Sequence, residues 1–176
     1  MTDTVAARPV DPFDAHALNA AEGLDPVDPA FRHVLRISAL FNMLPVAIGA
    51  TLLDMFLVRE VGGPYGLLSV LAWLFALFAI IAFPARRAQR WGFKIGEGQL
   101  RVARGWLFRT DTIVPFVRVQ HIDVGQGPIE RWFGLSHLVV HTSGTHNSTV
   151  TLPGLRADLA AAMREEIRRH IQTDFA

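Results

Sequence analysis

Residues 38–58, SALFNMLPVAIGATLLDMFLV, and residues 64–83, PYGLLSVLAWLFALFAIIAF, decide the architecture of this chain. The first run of 21 residues holds one ionisable group, Asp54, and the second run of 20 holds none. About 20 apolar residues in helical conformation cross a hydrocarbon core of about 30 Å, so each run reads as a membrane span. The link Arg59-Glu60-Val61-Gly62-Gly63 has the charges and the glycine pair of a tight turn in water. The expectation is a two-helix transmembrane hairpin spanning 31–87.

The rest of the chain has ordinary polarity. Over all 176 residues the composition is 51% hydrophobic and 19% charged, too apolar for a soluble domain of this size, and the excess lies in the two runs. Residues 1–30 carry six acids against Arg8 alone and contain Pro9, Pro12, Pro26 and Pro29, which reads as a disordered acidic tail rather than a signal peptide. Arg32 and Arg36 precede the first run and Arg86, Arg87, Arg90 and Lys94 follow the second, against Arg59 in the link. By the positive-inside rule both termini are expected in the cytoplasm. The absence of cysteine excludes a disulfide framework, a thiolate nucleophile and sulfur-ligated zinc.

Within the spans, Asp54 lies about a turn from the membrane edge, where it is expected to snorkel to water or pair with Arg59. Asn42 and Pro45 are expected to mark a helix–helix hydrogen bond and a kink, and Trp73, mid-span, to face lipid or to pack. Tyr65 and Trp91 fall at the edges, where amphipathic rings are favoured.

Beyond residue 88 short apolar runs alternate with glycine or polar turns, the pattern of antiparallel strands. Strands are expected over 91–95, 99–104, 107–114, 116–124, 135–142 and 148–152. In the run 116–124, Val117 and Val119 hold one face and Ile122 and Val124 the other, so a bulge or bend is expected near Gln120-His121. Pro128 to Gly134 reads as a short helix lidding the sheet. Leu155, Leu159, Met163, Ile167 and Ile171 recur every four residues and predict a C-terminal amphipathic helix covering the sheet.

The stretch Val114-Pro115-Phe116-Val117-Arg118-Val119-Gln120-His121-Ile122-Asp123-Val124, with Gln126-Gly127-Pro128-Ile129-Glu130-Arg131-Trp132-Phe133-Gly134-Leu135 and Val139-Val140-His141-Thr142-Ser143-Gly144, resembles the bacterial pleckstrin-homology (PH)-like membrane proteins of the YdbS-like family. With the hairpin, the resemblance runs from about Arg32 to Ile171. It implies an α+β fold in which a bent antiparallel sheet, closed toward a barrel and capped by a C-terminal helix, fills 88–176. It does not imply phosphoinositide binding, because function sits in sites rather than folds.

His121, His137, His141 and His146 are the metal-ligand candidates. His137 and His141 share a strand face but lie about 13 Å apart, so they read as structural histidines. Ser136, Ser143 and Ser148 with Asp123 and His121 make a triad only on paper, since no Gly-x-Ser-x-Gly or phosphate-loop pattern is present. No catalytic, cofactor or metal residue is assigned, and the chain is read as a non-enzyme without nucleic-acid partners. Arg118, Gln120, His121, Asp123 and Arg131 form the candidate interaction or structural motif, with Arg118 expected to pair with Asp123 or Glu130. Arg86, Arg87, Arg90, Arg101, Arg104 and Arg109 are the candidate residues facing anionic lipid. The leading expectation is a membrane-anchored interaction module working with a partner membrane protein, such as a larger protein of the same family, in envelope maintenance or stress tolerance. The alternatives are binding of anionic headgroups by the domain and, behind it, a membrane-bound hydrolase or metal protein.

Overall fold

The computed structural model describes residues 19, 22–61, 66–96, 98–105, 108–143 and 148–173. Most of the N-terminal tail, Gly62 to Tyr65 and the turn around His146 lie outside the described residues. In chain order the elements are β1 (Asp25–Pro26), α1 (Phe31–Val61), α2 (Leu67–Gln89), β2 (Gly92–Gly96), β3 (Gln99–Arg104), β4 (Thr110–Pro115), a 3-10 turn (Phe116–Arg118), β5 (Val119–Gly125), α3 (Pro128–Trp132), β6 (Leu135–Thr142), β7 (Thr149–Arg156) and α4 (Ala157–Thr173).

The helices α1 and α2 are both long and apolar enough to cross a membrane, and they pack against each other along their length. Leu52, Met55, Phe56, Leu71, Phe75 and Phe78 point outward and are exposed, as lipid-facing side chains are. The polar groups inside the pair are satisfied across it. Asp54 is buried, and its Oδ2 accepts from the Gly66 N–H at 2.9 Å and the Ser69 hydroxyl at 2.8 Å. It therefore caps the start of α2 and does not reach Arg59 as expected. The Trp73 indole donates to Thr51 Oγ1 at 3.2 Å, and the Thr51 hydroxyl donates to the Ala47 carbonyl at 2.9 Å. Asn42 makes no hydrogen bond to α2 among the described residues, contrary to expectation, and α1 continues through Pro45.

At 31 residues α1 is about 46 Å long, more than a bilayer core requires. Its first turns enter the β-rich domain, where Phe31 and Val34 are buried beside Leu100, Phe116, Leu135, Leu152 and Ile167. Asp28 starts the helix, its Oδ1 accepting from Ala30 N–H at 2.8 Å ahead of Phe31, with Pro29 between. At the other end α2 stops at Gln89 and β2 starts at Gly92. Ala88 and Trp91 also join the domain core, so Trp91 is a core residue and not an interfacial ring.

The segment before α1 is part of the fold. Leu24 and Val27 are buried, and β1 pairs antiparallel with β2, placing Asp25 opposite Phe93. Residues 22–30 thus depart from the disordered tail expected for 1–30, because their apolar positions complete the core that α1 enters.

The strands form two sheets, β1-β2-β3-β4 and β5-β6-β7, every pairing antiparallel. Among the described residues no ladder joins β4 to β5 or closes the sheets into a barrel. The 3-10 turn at Phe116–Arg118 replaces the first part of the long strand expected over 116–124 and carries the chain from one sheet to the other. The bulge expected near Gln120-His121 is present, as a register shift between Val119 and His121. Strand β4 starts at Thr110 and β7 runs on to Arg156, through Gly154. Gly154 has φ of +70°, and a Cβ there would meet the Phe31 ring at 2.7 Å, so only glycine lets α1 approach β7 this closely.

Helix α4 packs across all three strands of the second sheet and on the 3-10 turn. Ala160, Met163 and Ile167 are buried and Ile171 is half-buried, whereas Leu159 is 41% exposed. A strict four-residue spacing drifts about 40° per step around a helix of 3.6 residues per turn. The buried stripe therefore runs through Ala160, and Leu155 belongs to β7. Helix α3 contacts β6 and the start of α1, where His33 stacks on Phe133 with ring centroids 6.0 Å apart.

Candidate functional site: a polar groove at the bulged strand

Strand β5 is an edge strand, and the bulge leaves Gln120 without a partner in β6. Extra residues at bulges re-aim side chains, and here Gln120 and His121 are both exposed and border a groove beside α4. Arg164 and Arg168, one turn apart on α4, form the facing wall with Ile171. Val119 and Ile122 line the floor of the groove, whose volume is about 580 Å³. Its lining brings Arg164, Arg168 and Gln120 around a small apolar strip, with His121 at its border, which suits a polar or acidic chain segment.

A second cluster adjoins it on β5 and β6. His121 Nε2 lies 2.8 Å from Asp123 Oδ1, and His141 Nε2 lies 3.5 Å from Asp123 Oδ2. The two histidines are register partners across the strands, with rings 6.0 Å apart. His137 goes elsewhere: its Nδ1 is 2.8 Å from Glu130 Oε2, which also accepts from the Gly127 N–H at 2.7 Å. Glu130 thereby fastens the start of α3 to β6. Among the described residues no group of three or more histidines and carboxylates could hold a metal ion. Nor does any serine hydroxyl bond to His121 there, and Ser136 is buried in β6.

The expected pairing of Arg118 with Asp123 or Glu130 is not made. Its side chain is exposed on the 3-10 turn, while its carbonyl accepts from Ser143 N–H at 3.0 Å. Arg131 is exposed on α3, away from the groove-lining residues. The motif thus divides into Gln120 and His121 at the groove, Asp123 beside it, and Arg118 and Arg131 outside its lining.

The proposed basic face divides too. Arg86 and Arg87 are exposed in the last turn of α2 and Arg90 is half-buried at its end. Arg101 and Arg109 are not free for lipid. Glu22 Oε2 lies 2.9 Å from Arg101 and 3.0 Å from Arg109, and Arg101 also binds Asp111. The hydrogen bond that Arg101 donates to Asp111 holds its guanidinium above the ordinary pKa. Arg104 is half-buried on β3. One of the two acids, Glu22, comes from a segment distant in sequence, which is why the arginines alone read as a basic patch.

Arg164 and Arg168 were legible only as polar positions of an amphipathic helix. The cue was their spacing of four beside the buried Met163 and Ile167, which puts both on the edge of the packed face.

The bacterial PH domain family matches residues 39–171, most of α1 through α4. The chain belongs to the bacterial PH domain family. A curated relative, the UPF0699 transmembrane protein YdbS of Bacillus subtilis (strain 168), is 31% identical over 109 residues, covering 60% of this chain and 67% of that protein. No solved structure matches the chain. With its two apolar helices, this bacterial PH-domain protein is a membrane protein. The descriptions of family and relative name a domain and a location rather than a reaction. The groove residues on β5 and α4 all fall inside the matched region, whereas β1 and the first turns of α1 precede it.

Proposed function

We propose that this chain is a non-enzymatic recognition module of the bacterial inner membrane, crossing it twice with both termini in the cytoplasm. Its β5–α4 groove engages a partner membrane protein, a larger protein of the same family, in a complex serving envelope maintenance or stress tolerance. The observation that carries this reading is the groove: an unpaired edge strand, bulged at Gln120, facing Arg164 and Arg168. An open strand edge offers backbone groups to an incoming segment, and the two guanidiniums select acidic side chains on it. The orientation follows from the arginines at the domain end of the hairpin against Arg59 at the turn.

Because the chain has no cysteine, a single introduced thiol reports its own exposure. Glu60→Cys should react with a membrane-impermeant maleimide added outside spheroplasts, and Ser148→Cys only after lysis; the reverse pattern sinks the orientation. For the partner, a photo-crosslinking amino acid at Gln120 in native membranes should trap one protein, and the same probe at Glu165 should not. The pair Arg164→Glu and Arg168→Glu should lower that capture about tenfold, about 1.4 kcal/mol of binding. Identical adducts from both positions, or lipid adducts alone at Gln120, would defeat the partner reading.

A further inference from the structure

At the domain end of the hairpin a cleft of about 330 Å³ lies between the turn before α1 and the ends of the two long helices. Val27 and Asp28 line it from the N-terminal segment, Arg32 and Arg36 from α1, and Ala85 and Ala88 from α2. Arg32 and Arg36 are one helical turn apart, so both guanidiniums reach the same side of α1. The Nε of Arg36 is buried and has no hydrogen-bond partner among the described residues, and Arg36 makes no ion pair there. Arg32 donates only to the neighbouring His33 ring, at 3.3 Å. Among the described residues the cleft lining holds one carboxylate, Asp28, whose Oδ1 accepts from the Ala30 N–H at the start of α1.

A buried guanidinium nitrogen without an acceptor costs free energy, so the site is built for an acceptor that joins it. Arg36 stands two residues before the apolar run that starts at Ser38, which puts it at the hydrocarbon boundary. What is available at that depth has a phosphate at one end and hydrocarbon at the other. The small, smooth walls of Ala85, Ala88 and Val27 suit the hydrocarbon part, and planar guanidiniums bind phosphate in a fork.

We propose that this juxtamembrane cleft is a binding site for one anionic glycerophospholipid of the leaflet on the domain side. The phosphodiester sits on Arg36 and Arg32, and the glycerol and upper acyl carbons lie against Val27, Ala85 and Ala88. The site shares no residue with the β5–α4 groove and does not depend on the partner reading. The bound lipid would lock the N-terminal segment, α1 and α2 together where the domain meets the membrane.

The test uses the full chain in mild detergent, with lipid retention read by native mass spectrometry. Dioleoylphosphatidylglycerol should be retained about tenfold over dioleoylphosphatidylcholine. Arg36→Met should abolish that preference, Arg36→Lys should keep part of it, and Ala85→Phe, which fills the cleft while leaving both arginines, should remove bound lipid. Arg156→Gln, an exposed charge elsewhere, should change nothing. Equal retention of the two lipids, or wild-type retention in Ala85→Phe, would overturn the proposal. Displacement of the lipid by equimolar glycerol 3-phosphate would also overturn it, by showing a site for soluble phosphate esters. If Arg36→Met does not fold, Arg36→Lys and Ala85→Phe decide the matter.

Discussion

Phe31 and Gly154 hold the joint between the membrane part and the domain. The ring of Phe31 is 5% exposed and lies against the position where any side chain on residue 154 would begin. Phe31→Ala should cost about 3–5 kcal/mol by emptying that volume, read as a fall in the thermal midpoint of the detergent-solubilised protein. Gly154→Ala should be destabilising both through its positive φ and through the ring it meets, and a neutral result would show that Phe31 can move aside. Asp158 gives a pH dependence with a definite sign. The Leu159 N–H and Arg156 Nε reach its Oδ1 at 3.0 and 3.4 Å, which lowers its pKa below the ordinary 3.8. A depressed carboxyl contributes stability above its unfolded pKa and loses it as pH falls through the folded value. Wild type should therefore exceed Asp158→Asn slightly at neutral pH, with the gap closing on acidification below about pH 4. A gap that widens in acid would contradict this assignment.

At the scale of elements, the hairpin turn is organised by a carboxylate twelve residues before the N-cap of the helix it caps. Gly66 is left-handed and offers no side chain, so α2 takes its acceptor from Asp54 on α1. The capping bonds and the favourable end of the α2 dipole should make Asp54→Ala cost about 1–2 kcal/mol. Asp54→Asn, which keeps an acceptor, should lose less; equal losses would mean that the amide cannot replace the carboxylate. The expectation of a snorkelling or Arg59-paired Asp54 failed because a cap supplied from another helix has no local signature. In β5, by contrast, the phase change from Val119 to Ile122 was enough to locate the bulge, since a strand that buries one face cannot change phase without an extra residue.

For the whole molecule, the absence of a linker governs behaviour. Only Arg90 and Trp91 separate α2 from β2, and Trp91 is in the core. The domain cannot swing far from the bilayer, so a chain that engages its groove has to be held in or near the same membrane. Because Val27, Phe31 and Val34 complete the domain core, residues 88–176 expressed alone should lack a cooperative thermal transition by circular dichroism. A sharp transition in that fragment would show that the domain folds without the hairpin ends.

The sequence by itself determined the two spans, the change to strands after the hairpin, the bulge and the C-terminal helix. Each is written in the composition or period of one contiguous stretch, and local hydrophobic pattern reports local structure. It also carried the family resemblance, through the long motif from Val114 to Gly144. Only the tertiary structure decided that residues 22–30 join the fold, that Glu22 pairs with Arg101 and Arg109, and that Asp54 caps α2. The same holds for Arg164 and Arg168 meeting Gln120, and for the Arg36 cleft. These features bring together residues from separate elements, and their energies come from burial and charge pairing across space, which no periodicity along the chain records.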